Sequence, residues 1–163
     1  MSGASEERLA QAVGRAMYDA DNASRALGMV LDEIHPGLAR MRMTVRDDMI
    51  NGHDLCHGGL IFTLADSAFA FACNARNQVT VAAGAEIHFI SSAKKGETLV
   101  AVARERAGAG RSGIYDIEVS DSASGRLIAL FRGRSHRIEG VIVKEAPHPG
   151  PLPVGEGPAS AGG

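Results

Sequence analysis

Apolar residues recur at helical spacing near the start of the chain. Leu9, Ala12, Val13, Ala16, Met17 and Ala20 fall within residues 5–20 and predict an amphipathic helix. From Ala26 to Arg46 the period changes to that of strands. LGMVLDEI is the first candidate, and Pro36-Gly37 supplies the turn after it. In ARMRMTVR the alternation is strict, with Ala39, Met41, Met43 and Val45 on one face and Arg40, Arg42, Thr44 and Arg46 on the other. That pattern predicts a half-solvated strand. Asp47 to His57 reads as a polar loop. A helix over 58–74 follows, apolar on nearly all sides, with a small-residue stripe of Ala65, Ala68 and Ala72. Four strand-like segments come next, at about 79–90, 97–106, 113–120 and 126–138, separated by the turn-rich SSAKKGE, AGAGRS and DSASG. Connections of this length predict antiparallel neighbours in a four-stranded meander.

A helix that is apolar all round has to be enclosed. The expected fold class is therefore α+β, a strongly curved antiparallel β-sheet wrapped around a long central hydrophobic helix, which is the hotdog architecture. The chain divides into an N-terminal helix of the domain at 1–22, the hotdog domain at 23–144 and a tail at 145–163. Five of the six prolines lie in that tail beside almost nothing that could pack, so it reads as disordered.

Composition narrows the function classes. A chain of 163 residues fits one domain with a sizeable core. A net charge of -2 gives no basic footprint for nucleic acid. The longest apolar run, 58–73, is too short and too interrupted by Thr63, Asp66 and Ser67 to span a membrane. The polar, acidic opening MSGASEERLAQAVGRAM has no signal-peptide core. With only Cys56 and Cys73 as thiols, the expectation is a reduced, cytoplasmic protein.

Three further motifs have plainer structural explanations. GAGRSG, residues 108–113, spells a dinucleotide-binding loop, but the following IYDIEVS alternates as a strand where that mechanism needs a helix. Its glycines predict a hairpin turn. His53, Cys56 and His57 share one loop with no second ligand cluster elsewhere, so no metal is expected. Arg132, Arg134 and His136 share one parity of a strand: a solvated basic edge, or a strip that meets the phosphates of a ligand.

Asp66 carries the chemistry. It is the only charged residue between Gly58 and Asn74 and lies about two turns into the apolar helix. An unpaired carboxylate there is costly and raises its own pKa by desolvation; the alternative is a carboxylate satisfied by an arginine or a backbone donor at a subunit contact. Gly58-Gly59 offers unshielded N–H groups at the helix start, a site for an anion or a developing oxyanion. An oxyanion site and a carboxylate base or nucleophile together suit hydrolysis of an activated acyl group. Two turns of helix hold them apart within one subunit, and a dimer would bring Asp66 of one chain to the helix start of another.

NGHDLCHGGLIFTLADSAFAFACNA (residues 51–75), GIYDIEV and LIALFRGRSHRI closely resemble the PaaI family, the acyl-CoA thioesterases of phenylacetate degradation, over about residues 10–146. The resemblance implies a hotdog fold, a dimer through continuous sheets, a homotetramer of such dimers, and a site at the subunit interface. It implies hydrolysis of aryl-acetyl-CoA to free acid and CoA, with no cofactor beyond the CoA of the substrate and no metal. It implies that Asn51 positions the thioester or the water, that His57 supports the site, that the Gly58 N–H polarises the carbonyl, and that Asp66 of the neighbouring subunit is base or nucleophile. Gly59, Arg132, Arg134 and His136 become CoA-contact candidates. One departure stands out: some relatives place a water-orienting hydroxyl on the strand after the helix, and here 81–85 reads VAAGA, leaving Thr63, Ser67 or Thr80 as substitutes. Two other functions fit less well. A hotdog dehydratase of 3-hydroxyacyl thioesters would use His57 and Asp66, and a non-enzymatic module would bind acyl-CoA without turnover.

Overall fold

The computed structural model describes residues 3–144 of the chain, so the expected tail at 145–163 lies outside the described residues. The opening helix, α1, runs Gly3–Ala20 and buries Ala10, Val13 and Gly14. A second helix, α2 (Asn22–Ala26), follows where the sequence suggested the approach to a strand, and it crosses the expected 22/23 boundary. Its cause is local. Asp21 accepts hydrogen bonds from the Ser24 N–H at 2.9 Å and the Ser24 hydroxyl at 2.6 Å, an N-terminal cap that stabilises even one turn. Gly28, at φ +67°, then ends the turn in a conformation that disfavours other residues.

The first strand is consequently shorter than LGMVLDEI: β1 is Val30–His35. β2 (Leu38–Thr44) buries Ala39, Met41 and Met43 and exposes Arg40, Arg42 and Thr44, as the alternation predicts. The helix of the opening motif, α3, is Gly58–Asn74. Four strands complete the chain: β3 (Thr80–Phe89), β4 (Thr98–Ala109), β5 (Ser112–Asp121) and β6 (Leu127–Arg137). GAGRSG is a hairpin turn between β4 and β5, with Gly110 at φ +59°.

All six strands form one antiparallel sheet in the order β1-β2-β4-β5-β6-β3. The expected four-strand meander is therefore corrected: β4, β5 and β6 follow one another, but β3 pairs with β6 at the far edge. Connector length misled because three strand spacings are only about 14 Å, well inside the ~26 Å reach of eight extended residues. The crossing segment is pinned beside the 45–56 loop. Cys56 N–H donates to the Ala93 carbonyl at 2.8 Å, and Gly96 N–H to the Val45 carbonyl at 2.9 Å. Chain order alone could not show this.

α3 lies across the concave face and buries Ile61, Leu64, Ala65, Ala68, Phe69 and Ala72 against the sheet. The small-residue stripe brings its backbone close to the strands. On the sheet side the equivalent concession is Gly133, where a Cβ would stand 2.8 Å from two ring atoms of Phe69. At the helix end the buried Asn74 donates to the Ala70 and Thr80 carbonyls and accepts from the Thr80 N–H, each at 2.9 Å, which ties α3 to β3.

The sheet has two edges, and they differ. α1 packs beside β1. β3 presents residues 81–86 exposed on both faces, with Val81 and Phe89 among the exposed large apolar side chains. An open strand edge of that kind invites another strand. Cys56 and Cys73 are free and buried.

Gly133→Ala is expected to lower stability by about 1–3 kcal/mol through overpacking against Phe69. Urea denaturation measures it, and the double variant Gly133→Ala/Phe69→Leu should recover most of the loss.

Candidate active site

The loop before α3 is shaped by Asn51. Its Oδ1 accepts the N–H groups of His53 at 2.9 Å and Leu55 at 3.3 Å, and its own N–H donates to the Leu55 carbonyl at 2.8 Å. With Oδ1 engaged by two backbone donors, the amide's Nδ2 is the group left to reach outward. Asp54 takes the left-handed conformation at φ +58°, which closes the loop tightly.

His57 caps the helix. Its Nδ1 accepts the Gly59 N–H at 3.0 Å, and its backbone N–H donates to the Met49 carbonyl at 2.9 Å. An accepting Nδ1 places the ring's hydrogen on Nε2. The cap also divides the two glycines. Gly59's N–H is consumed by His57, whereas the Gly58 N–H has no partner among the described residues. Of the pair expected to offer an anion site, only the Gly58 amide is left available, at the positive end of the helix dipole. Side-chain absence matters at Gly58 because a Cβ would stand 3.1 Å from the Phe89 ring.

Asn51, Cys56, Gly58, Ile61, Phe89 and Ile90 line a cavity of about 320 Å³. The fold therefore brings two of the predicted site residues, Asn51 and Gly58, to one opening. A larger groove of about 440 Å³ lies between α1 and β1 and holds none of them. Size alone does not locate the chemistry here.

Asp66 is not in that cavity. It stands eight residues beyond Gly58, about 12 Å along the helix. It is half-buried, and desolvation pushes the pKa of its carboxyl above the ordinary carboxylate range. Among the described residues of one subunit no cation or donor holds it. Its surroundings on α3 are Phe62, Thr63 and Ala70, all on the face that the protein's own sheet leaves partly open. Cys73, two turns further, is pushed to about 12, chiefly by burial, so it stays a neutral thiol.

Arg132, Arg134 and His136 share the exposed convex face of β6, as their parity predicts. They do not meet Gly58 or Asp66. Arg132 is bidentate to Asp116, with bonds of 2.6 and 2.9 Å, and Arg134 donates to the Ala83 carbonyl at 3.3 Å. The cross-strand register that pairs Asp116 with Arg132 was hidden in the sequence. A second group of arginines escaped the sequence reading. Arg76, Arg111 and Arg137 surround a polar cavity of about 280 Å³ at the end of α3, with Tyr115 and Ser135. Arg76 is paired with Glu105 at 2.6 Å, while Arg111 and Arg137 meet no carboxylate among the described residues. These arginines sit on three separate elements, so no local motif signals them.

Residues 53–128 match the model of the thioesterase superfamily. The acyl-coenzyme A thioesterase PaaI of Escherichia coli is 44% identical over 131 residues, covering 80% of this chain and 93% of that protein. The structure of the E. coli PaaI protein from the phenylacetic acid degradation operon superposes with a TM-score of 0.81 at 41% identity, over 83% of this chain and 97% of the other. A mutant of the phenylacetic acid degradation protein PaaI from Thermus thermophilus superposes at 0.69 and 35% identity, over 72% and 100%. With its curved sheet around α3 and its Asn51-to-Asp66 motif, the chain belongs to the PaaI acyl-CoA thioesterases of the thioesterase superfamily.

Proposed function

We propose that the protein hydrolyses phenylacetyl-CoA and hydroxyphenylacetyl-CoA to the free acid and CoA, in a site made by two subunits, and so recovers CoA during aromatic degradation. The observation that carries this reading is the separation of two unengaged groups on one rigid helix. The Gly58 N–H and the Asp66 carboxylate both lack partners among the described residues, and about 12 Å of helix keeps them from one substrate carbonyl. A two-fold pairing resolves that distance by setting each Asp66 beside the other subunit's Gly58. The open edge of β3, with Val81 and Phe89 exposed, is where such a pairing forms a continuous sheet. Two such dimers then make the tetramer.

In this site Asp66 takes a proton from water as the water oxygen bonds to the thioester carbon. The oxyanion that develops is held by the Gly58 N–H, which is fixed before the reaction and needs no reorganisation. Collapse breaks the C–S bond, and the proton passes to the CoA thiolate. Asn51 Nδ2 reaches the carbonyl or the water, and His57 keeps the helix start in place through Gly59. Apolar walls at Ile61, Phe89 and Ile90 suit an aryl group. Of the CoA contacts suggested by family resemblance, Arg132 is engaged by Asp116, and Arg134 and His136 on the convex face, with Gly59 at the helix start, remain. Arg111 and Arg137 add a basic cavity suited to the CoA phosphates. A dehydratase would need His57 and Asp66 at one carbon. The cap commits His57 Nδ1 to the Gly59 N–H, so the ring serves the helix start, which disfavours that chemistry.

Asp66→Asn is expected to cut thiol release from phenylacetyl-CoA by about 100-fold or more, as loss of acid–base catalysis does. Because burial raises the folded pKa of Asp66, the folded state favours its protonated form, and the charge is a penalty once pH rises above that pKa. The Asn variant should therefore melt at a higher temperature than the native protein at pH 7, with the gap closing as pH falls. Equal melting curves across that range would count against the desolvated carboxylate. The kcat/KM profile of the native enzyme should lose activity on its acid side at a pH above the ordinary carboxylate range.

Two inactive variants, Asp66→Asn and Gly58→Val, should complement when co-expressed, since a mixed dimer keeps one site with both native groups. A separate expectation concerns the edge. Ile90 N–H bonds the Ile128 carbonyl, so alternation turns the Ala85 N–H outward. Ala85→Pro should give a monomer by light scattering and no turnover, because proline removes that open ladder donor.

A further inference from the structure

Resting on the two-subunit thioesterase reading, we infer that Thr63 is the acceptor that orients the attacking water beside Asp66. The strand after the helix carries no hydroxyl at 81–85, so the water's second hydrogen needs another partner. Three hydroxyls compete for that role, and their hydrogen bonds separate them.

Thr80 donates to the Gln78 carbonyl at 2.8 Å, in the loop before β3. Its backbone is fastened to Asn74 at the far end of α3 from Gly58. Ser67 is turned toward α2, where its oxygen lies 3.1 Å from that of Ser24. Ser24 already gives its hydrogen to the Asp21 carboxylate at 2.6 Å, and a carboxylate only accepts. Ser67 is therefore the donor to Ser24, and its hydroxyl serves the α2–α3 contact.

Thr63 differs in place and in polarity. It precedes Asp66 by three residues, so the two side chains are neighbours on one helix face, with Cβ atoms about 5–6 Å apart. A water fits between them. Its hydroxyl hydrogen is fixed on the Gly59 carbonyl at 2.7 Å, one turn back. With the hydrogen so directed, the Thr63 oxygen presents lone pairs on the partly open face of α3. One water hydrogen goes to Asp66 and the other bonds Thr63 Oγ1, which aims an oxygen lone pair at the thioester carbon. Proton balance is unchanged, because Thr63 accepts a hydrogen bond and transfers nothing.

Thr63→Val keeps the shape and removes the acceptor. It should lower kcat for phenylacetyl-CoA hydrolysis by about 10- to 100-fold, the scale of a misplaced reactant, with KM within about twofold. Thr63→Ser should restore most of the rate, Thr63→Ala should behave as the valine variant, and Ser67→Ala and Thr80→Ala should stay near the native rate. Hydroxylamine in place of water should shrink the valine deficit, because that nucleophile needs no oriented hydrogen bond. A native rate in Thr63→Val beside an inactive Asp66→Asn overturns the Thr63 assignment alone. So does an equal loss in Thr63→Ser, or a deficit that hydroxylamine leaves unchanged. Activity retained in Asp66→Asn overturns both readings together.

Discussion

Eight residues of α-helix separate Gly58 from Asp66, and an α-helix cannot shorten. The sheet wraps this one helix, buries its apolar side and presents the remaining face outward. Both chemical groups sit on that rigid rod, so their spacing is fixed by backbone hydrogen bonding and not by side-chain choice. A site that needs both at one carbonyl has to take them from two rods. On the two-subunit reading the β3 edge meets the same demand: β3 pairs with β6 on one side and leaves its other side open, with apolar side chains on display. What looks like an unfinished sheet and what looks like a stranded carboxylate are then one feature.

Much of this was legible in the sequence, and the parts that were not share a cause. The bounds of α3 are visible because a glycine pair opens it and an unbroken apolar run fills it. β2 is visible because its alternation is strict, and Met41 and Met43 are buried as that alternation demands. Each of these signals is local. The position of β3 is not local, since the same eight-residue connector can join neighbours or cross beneath two strands. Likewise α2 rests on one capping aspartate, a signal too short to outweigh the strand-like residues after it. Arg132 looked free because its partner Asp116 lies on another strand, sixteen residues away in sequence.

The glycine pair shows a finer limit. Sequence gives two N–H groups at the helix start and no reason to prefer one. The preference comes from His57, whose ring folds back onto Gly59 and leaves Gly58 alone. One histidine thereby does two things, stabilising the helix start and selecting the amide that remains available. Replacing the ring would free the second amide but loosen the turn that aims the first.

The distribution of cations completes the argument. A base near neutral pH works best when its pKa approaches the operating pH, and an apolar wall raises a carboxylate in that direction. One guanidinium beside Asp66 would undo this by favouring the charged form. Among the described residues the arginines are kept off its face of the helix. Arg132 and Arg134 stand on the convex side of β6, with buried Phe131, Gly133 and Ser135 alternating toward the helix. Arg76, Arg111 and Arg137 gather at the end of α3, about five turns from its start and beyond Cys73. Cys73 itself stays neutral, so no thiolate adds its charge to that of Asp66. On the proposed reading, a basic cavity for the charged end of the substrate and a weakly solvated base share one small domain, and the sheet and the helix length keep their fields apart.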